Sequence, residues 1–296
     1  MNQNYIDTVR LLLAIAPAVF ASGRFAMKGG TALNLFVQEM PRLSVDIDLV
    51  FVDHRPDRKA ALQAIALELA TVRTALAGKG YRAHLPANTE GDDVKLVVSN
   101  DIAQVKVEVN FVFRGTALPV ETRSLVATAQ NLFTTDLAVP VLATAELYGS
   151  KIVAAMDRQH PRDIFDVMHM LGRFGWQESF VDCFVAYLAG HNRPVHEVLF
   201  PKTKPLEPAF TNEFAGMTRD TVELHTLVQM QARLIEELPK QLTPAQRDFL
   251  LSLVQGDPDW DLMPMRHLRE LPALKWKLTN LAKLKKSSAK RFAAQH

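Results

Sequence analysis

The sequence predicts an α+β N-terminal half followed by an all-helical C-terminal half, with the boundary near residue 140. Three observations carry this reading. Ahead of the boundary, short runs with apolar residues at every second position share the chain with long helical patterns. From about Val141 onward the apolar residues recur at helical spacing throughout. Between these signals a paired glycine, Gly29-Gly30, opens a helix that leads into "SVDIDLVFV", where Asp46 and Asp48 interrupt a run of strong strand formers.

Taken in order, residues 4–21 have the spacing of an amphipathic helix, and "RFAMKG" reads as a short extended run. "GTALNLFVQEM" places Ala32, Leu33, Leu35, Phe36 and Met40 at helical spacing, and Pro41 marks its end. "SVDIDLVFV" alternates and then turns fully apolar, which predicts a strand. "DRKAALQAIALELATVRTALAGKG" predicts a helix closed by Gly78 or Gly80. Three extended runs follow, "YRAHLP", "DVKLVVSN" and "AQVKVEVNFVFR", and "LPVETRSLV" adds a short one. In the second half, "TAELYGSKIVAAMDR" follows Pro140 with Thr144 as N-cap, and "PRDIFDVMHMLGRFG" has Pro161 at its first helical position. Further helices are expected over 177–189, 219–238, 244–254 and 272–284.

At 296 residues, 48% of them hydrophobic, the chain suits one large domain or two ordinary ones. No apolar run reaches the length of a membrane helix. The N-terminus carries an acid and no basic cluster ahead of its apolar part, which argues against a signal peptide. Cys183 is the only cysteine, which excludes an intrachain disulfide and a cysteine metal cage. Together these features point to a cytoplasmic protein without a membrane partner. Net charge is +2, but residues 271–296 hold Lys275, Lys277, Lys283, Lys285, Lys286, Lys290 and Arg291 and no acid. Such an end can meet nucleic-acid phosphates, with Lys285, Lys286, Lys290 and Arg291 as the RNA-contacting candidates. A solvated terminal helix explains the same charges.

Side chains alternate across a strand. Ser44, Asp46 and Asp48 therefore share one face of their run, and Lys106, Glu108 and Asn110 share one face of theirs. If the two strands are neighbours, Asp46, Asp48 and Glu108 cluster. Three carboxylates together repel unless a cation sits among them. Hard oxygen donors of this kind suit Mg²⁺, which completes its shell with substrate phosphates, and a two-ion site serves phosphoryl transfer. A solvated polar sheet face is the plainer explanation. Gly29 and Gly30 permit close backbone approach at a helix entry, where N–H groups and the helix dipole favour a phosphate. A simple strand-to-helix turn needs the same residues.

Gly29-Gly30-Thr31 followed by Asp46-x-Asp48 resembles the nucleotidyltransferase superfamily that includes the polymerase-β-like palms. The fuller pattern, "KGGTALNLF" and "RLSVDIDLVF" with "ELYGSKIVAAMDRQHPRDIFDV", resembles the AbiEii/AbiGii-type toxins, which include the MenT toxins of toxin–antitoxin pairs. The resemblance spans roughly residues 24–168. It implies a palm over 1–140, a mixed sheet with flanking helices, and a helical domain over 141–296 that contributes an active-site lysine and aspartate. It assigns Gly29, Gly30 and Thr31 to the nucleotide-phosphate loop, Asp46 and Asp48 to metal binding and catalysis, and Glu108 to a third metal carboxylate. Lys151 matches a lysine facing the triphosphate, and Asp163 matches the catalytic aspartate of an Arg-Asp motif. Ser44, on the face of Asp46, matches the hydroxyl residue that a partner antitoxin phosphorylates in some MenT-type toxins.

On the residues alone, Lys151 fits a surface lysine whose stem lies along apolar neighbours. Arg162 and Asp166 are placed to pair at i,i+4, which leaves Asp163 to face Lys151 or the active site. The implied activity is Mg²⁺-dependent transfer of a nucleoside monophosphate from an NTP to an RNA acceptor, a tRNA 3′ end, with a cognate antitoxin as partner. Two alternatives stand beside it. One is the same chemistry on a small molecule or a protein hydroxyl. The other is a non-catalytic binding partner that keeps the fold.

Overall fold

The computed structural model describes residues 2–86 and 93–293, apart from the side chains of Asp93, Ala289 and Arg291. The Arg291 side chain, one of the expected RNA contacts, therefore lies outside the described residues. The chain divides into two compact units: Met1–Thr144 with Gly216–Thr221, and Ala145–Ala215 with Val222–His296.

In the first unit the strands are β1 (Phe25–Lys28), β2 (Ile47–Phe51), β3 (Arg82–His84), β4 (Asp93–Ser99), β5 (Gln104–Asn110), β6 (Glu121–Ser124) and β7 (Ala138–Val141). They form one mixed sheet in the order β3-β4-β5-β2-β1-β7-β6. The pairs β2–β5 and β1–β7 are parallel and the other four are antiparallel. The flanking helices are α1 (Gln3–Val19), α2 (Gly29–Phe36), α3 (Arg58–Ala77) and α4 (Ala127–Phe133). Along β5 the alternation is read directly into burial: Val105, Val107 and Val109 are buried, while Gln104 and Lys106 are exposed. Asp57 caps α3 by accepting from the Ala60 N–H at 2.8 Å. By length and composition α3 is apolar enough to cross a membrane, contrary to the sequence expectation. Its buried residues Ala61, Ile65, Leu69, Val72 and Leu76 nevertheless form one helical stripe, the pattern of a helix packed on a core.

Three expectations are corrected here. The strand expected from Ser44 starts only at Ile47, because the backbone just ahead of it is engaged elsewhere. Leu43 donates to the Met217 carbonyl and Arg219 to the Pro41 carbonyl, each at 2.8 Å, and Arg42 forms a β-bridge with Thr218. The helix expected to reach Met40 stops at Phe36, where the Gln38 N–H turns back to Leu33 at 2.7 Å and Met40 takes a left-handed φ of 49°. Finally, α4 and β7 have no counterpart in the sequence reading. Strand β7 is four residues long and contains Pro140, which reads as a break.

The second unit is helical: α5 (Thr144–Asp157, whose first residue belongs to the first unit), α6 (Pro161–Phe174), α7 (Glu178–Ala189), α8 (Val195–Leu199), α9 (Glu207–Ala209), α10 (Leu224–Gln241), α11 (Pro244–Gln255), α12 (Pro272–Ser287) and α13 (Ala289–Ala293). Helices α5 and α7 touch at Gly149. A Cβ there would meet the Cys183 Cβ at 2.5 Å and the Cys183–Phe184 backbone at 2.6 Å. Backbone cannot yield as a side-chain tip does, so Gly149→Ala should destabilise the protein by about 1–3 kcal/mol. Chemical denaturation of the two proteins measures this; an unchanged midpoint would contradict the close approach.

Candidate active site

The paired glycine is required by what stands beside it. Gly29 has a φ of +74°, and a Cβ there would lie 2.1 Å from Asp48 Oδ2. The peptide at the start of α2 thus presses on the Asp48 carboxylate, which no residue with a side chain allows. At Gly30 a Cβ would lie 2.7 Å from Arg42 Nη2 and 2.9 Å from Ser44 Oγ. Thr31, expected on the phosphate loop, is fully buried and donates its hydroxyl to the Asp46 carbonyl at 2.5 Å. Asn34 donates to the Gly30 carbonyl at 2.9 Å. The first bond ties the loop to the Asp46–Asp48 segment, and the second braces the loop within α2.

Strand pairing sets a row of charges across the sheet. Lys95 stands opposite Glu108, Glu108 opposite Asp48, and Asp48 opposite Lys28, across β4, β5, β2 and β1. Residues directly opposite share a sheet face, so two carboxylates lie between two lysines. Lys95 Nζ is 3.1 Å from Glu108 Oε1. The sequence reading held the acids of this row and missed both lysines, which looked like ordinary polar positions of alternating strands. The two strands are neighbours, as the expected cluster of Asp46, Asp48 and Glu108 requires, and Asp48 stands directly opposite Glu108. Asp46 sits one residue ahead of the ladder, Glu108 has a cation of its own, and no three His, Cys, Asp or Glu side chains among the described residues gather into a metal-holding group.

The donor chemistry of Asp46 and Asp48 fits a hard divalent ion. Asp46 and Asp48 are half-buried carboxylates in one short segment, and the Gly29 backbone approaches Asp48 closely. Mg²⁺ is commonly held by one or two carboxylates, with water and substrate phosphates completing its shell.

In the second unit, α5 and α6 bring together a buried ion network. Lys151 Nζ lies 3.0 Å from Asp163 Oδ1 and 3.0 Å from Asp166 Oδ2. Arg158 Nη2 reaches Asp163 Oδ2 at 2.8 Å. Lys151, Asp163 and Asp166 are all buried, Asp166 completely. Lys151 is therefore not the surface lysine that its helix alone suggests. One further reading is corrected: Arg162 turns to Glu213 at 3.6 Å rather than to Asp166, whose cation is Lys151. The reason is burial: a carboxylate with no solvent exposure needs the buried ammonium more than the half-exposed guanidinium at i−4 does. Asp163 faces Lys151, as expected, and Arg158 holds it as well. Burial pushes the Asp163 pKa up, but Lys151 and then Arg158 outweigh it and hold the carboxyl below its ordinary range.

At the basic end, Lys285 and Lys286 occupy the exposed last turn of α12, and Lys290 is exposed on α13. The end is packed, because Phe292 is buried and the Lys285 ammonium stands 5.3 Å from its ring centroid. Lys277, counted with the surface charges, is buried instead and donates to the carbonyls of His191 at 3.0 Å and Arg193 at 2.7 Å. Burial lowers its pKa to about 8.

Compared with known proteins, the chain matches the sequence model of the AbiEii family, a nucleotidyl transferase toxin of a type IV toxin–antitoxin system, over residues 10–280. Among solved structures it is similar to MenT4, a nucleotidyltransferase toxin of Mycobacterium tuberculosis H37Rv, with 19% sequence identity, a TM-score of 0.62 and 95% of each chain covered. At that identity the likeness speaks for the fold, a mixed sheet with flanking helices followed by a helical half. No curated protein matches the chain.

Proposed function

This chain belongs to the AbiEii family of nucleotidyl transferase toxins of type IV toxin–antitoxin systems, and we propose that it transfers a nucleoside monophosphate from an NTP to an RNA hydroxyl. The acceptor in this reading is a tRNA 3′ end in the cytoplasm, and its modification stops translation and growth. The acceptor hydroxyl attacks the α-phosphorus, a new P–O bond forms, the bond to the β-phosphate breaks, and pyrophosphate leaves.

The observation that carries the reading is the cradle at Gly29. A left-handed glycine at the head of α2 presses on the carboxylate of Asp48, two residues from Asp46. The N–H groups at this helix entry suit the nucleotide phosphates, and Thr31 and Asn34 hold the loop in place. Asp46 and Asp48 would hold Mg²⁺, which when bound would neutralise phosphate charge and make the acceptor hydroxyl a better nucleophile. Glu108, directly opposite Asp48 and 3.1 Å from Lys95, is the third carboxylate of this reading. In the second unit we assign Lys151 to the triphosphate, and Asp163 and Asp166 to fixing its ammonium. Lys285, Lys286, Lys290 and Arg291 are assigned to the RNA backbone. The test is incubation of purified protein with total RNA, Mg²⁺ and each labelled NTP in turn. Label on tRNA-sized bands with one NTP is expected; label on protein or small molecules alone would move the acceptor to another class.

Ser44 is the point at which we propose that a partner antitoxin acts. Its hydroxyl lies beside Gly30 and Arg42, and a phosphate there would add roughly two negative charges next to the phosphate loop. Ser44→Glu should lose most of the transfer rate while Ser44→Ala keeps it. Equal rates in the two variants would remove Ser44 as a control point.

A further inference from the structure

The turn between α5 and α6 has an unusual construction. Gln159 is buried and takes a left-handed φ of 54°, a conformation that costs a non-glycine residue energy and persists only where surrounding bonds enforce it. Three such bonds are present. Its Nε2 donates to the Lys202 carbonyl at 2.8 Å, and its Oε1 accepts from the Lys204 N–H at 2.9 Å and from Gln231 Nε2 at 2.7 Å. Gln231, also buried, donates in turn to the Lys204 carbonyl at 3.0 Å. Two buried amides therefore fix the stretch from Lys202 to Lys204 against the turn that carries Arg158.

What this network displays is positive charge. Lys202 and Lys204 are exposed, and among the described residues neither has an acidic partner; Lys204 Nζ donates to the Asp157 carbonyl at 2.7 Å. Arg158 has a side chain 62% exposed and is anchored through Nη2 to Asp163, and its Nε and Nη1 make no hydrogen bond among the described residues. The acids nearby are largely engaged. Asp157 pairs with Arg193 at 2.5 Å, and Glu213 lies 3.1 Å from His160 and 3.6 Å from Arg162; Glu207 is exposed on α9. A guanidinium held by a buried carboxylate loses little freedom on meeting a second anion.

We infer that Arg158, Lys202 and Lys204 form a docking patch for the phosphodiester backbone of the RNA acceptor. The patch borders the Lys151–Asp163–Asp166 network through the Arg158–Asp163 pair, so an RNA lying on it is delivered to the residues assigned to the reaction. This rests on the RNA-acceptor reading above and adds a surface to it, separate from the basic end of α12 and α13.

Lys202→Gln and the double variant Lys202→Gln/Lys204→Gln test it, with fluorescent unfractionated tRNA titrated at several salt concentrations. Each lost phosphate contact should lower the log–log salt slope by roughly 0.7–0.9, and the double variant should bind about tenfold or more weakly at roughly 0.1 M salt. ATP affinity and melting temperature should stay at wild-type values in Lys202→Gln, whose ammonium has no hydrogen bond or ion pair among the described residues. Wild-type RNA affinity and slope in both variants would overturn the patch alone. Loss of ATP affinity with RNA binding intact would overturn it in favour of a triphosphate site. A wild-type protein with no affinity for the tRNA would overturn the patch together with the RNA-acceptor reading.

Discussion

Asp46→Ala and Asp48→Ala are each expected to lower nucleotidyl transfer about a thousandfold or more, about 4 kcal/mol of barrier, while leaving the melting temperature near the wild-type value. The two halves of this expectation have different origins. The loss of rate follows from the donor set, since these two carboxylates are the ones assigned to hold the ion that manages the charge of the triphosphate. The stability follows from position. Both side chains are only half-buried, and the bond that anchors the loop runs from Thr31 to the backbone carbonyl of residue 46, which alanine keeps. Losing Asp48 also leaves Lys28 opposite an alanine in a half-exposed row, where charge pairs contribute little. Initial rates of label incorporation, set against thermal unfolding curves of the same preparations, measure both halves. A folded variant within tenfold of the wild-type rate would contradict the assignment.

Lys151→Met is expected to have the largest effect on folding. It leaves Asp163 and Asp166 buried with Arg158 as the only neighbouring cation in the network, and breaking a buried ion pair by removing one partner costs about 3–5 kcal/mol. Inactivity of this variant therefore says nothing about catalysis by itself. The triple variant Lys151→Met/Asp163→Asn/Asp166→Asn separates the two effects. It removes the charges together at nearly constant volume, so most of the stability should return, while transfer should not. The pH dependence has a defined sign. Lys151 and Arg158 hold the Asp163 pKa below its unfolded value despite burial. The stabilisation from that ionised pair is fully present above pH of about 4 and is lost as the pH falls further. The triple variant should lose less stability than the wild type over that acid range. A triple variant that transfers at the wild-type rate would show that the network serves the fold only.

The sequence was most informative where local chemistry decides the outcome. Gly29-Gly30, the alternation of β5, the capped α3 and Pro161 at the head of α6 all act within a few residues, and each stands where it was expected. What the sequence concealed depends on distant partners. The strand carrying the aspartates is cut short at Ile47 by a segment more than 170 residues away, Met217–Arg219, and nothing local to Ser44–Asp46 signals that. Lys28 and Lys95 join the acidic row only through strand register, which a single sequence does not fix. Arg162 and Asp166 have the spacing of a helical pair, yet burial hands Asp166 to Lys151 on another helix. The amide network of Gln159 and Gln231 joins residues 72 apart, and two glutamines carry no motif.

The central claim is that the chain moves a nucleoside monophosphate from an NTP onto RNA. The measurement that meets it most directly is the stoichiometry of one reaction, with pyrophosphate release and mass gain at the RNA 3′ end quantified in the same sample. One pyrophosphate for each nucleoside monophosphate added, with both products absent for Asp46→Ala, is the predicted result. Pyrophosphate released without a mass gain on RNA, or both products at the wild-type rate from Asp46→Ala, would contradict it.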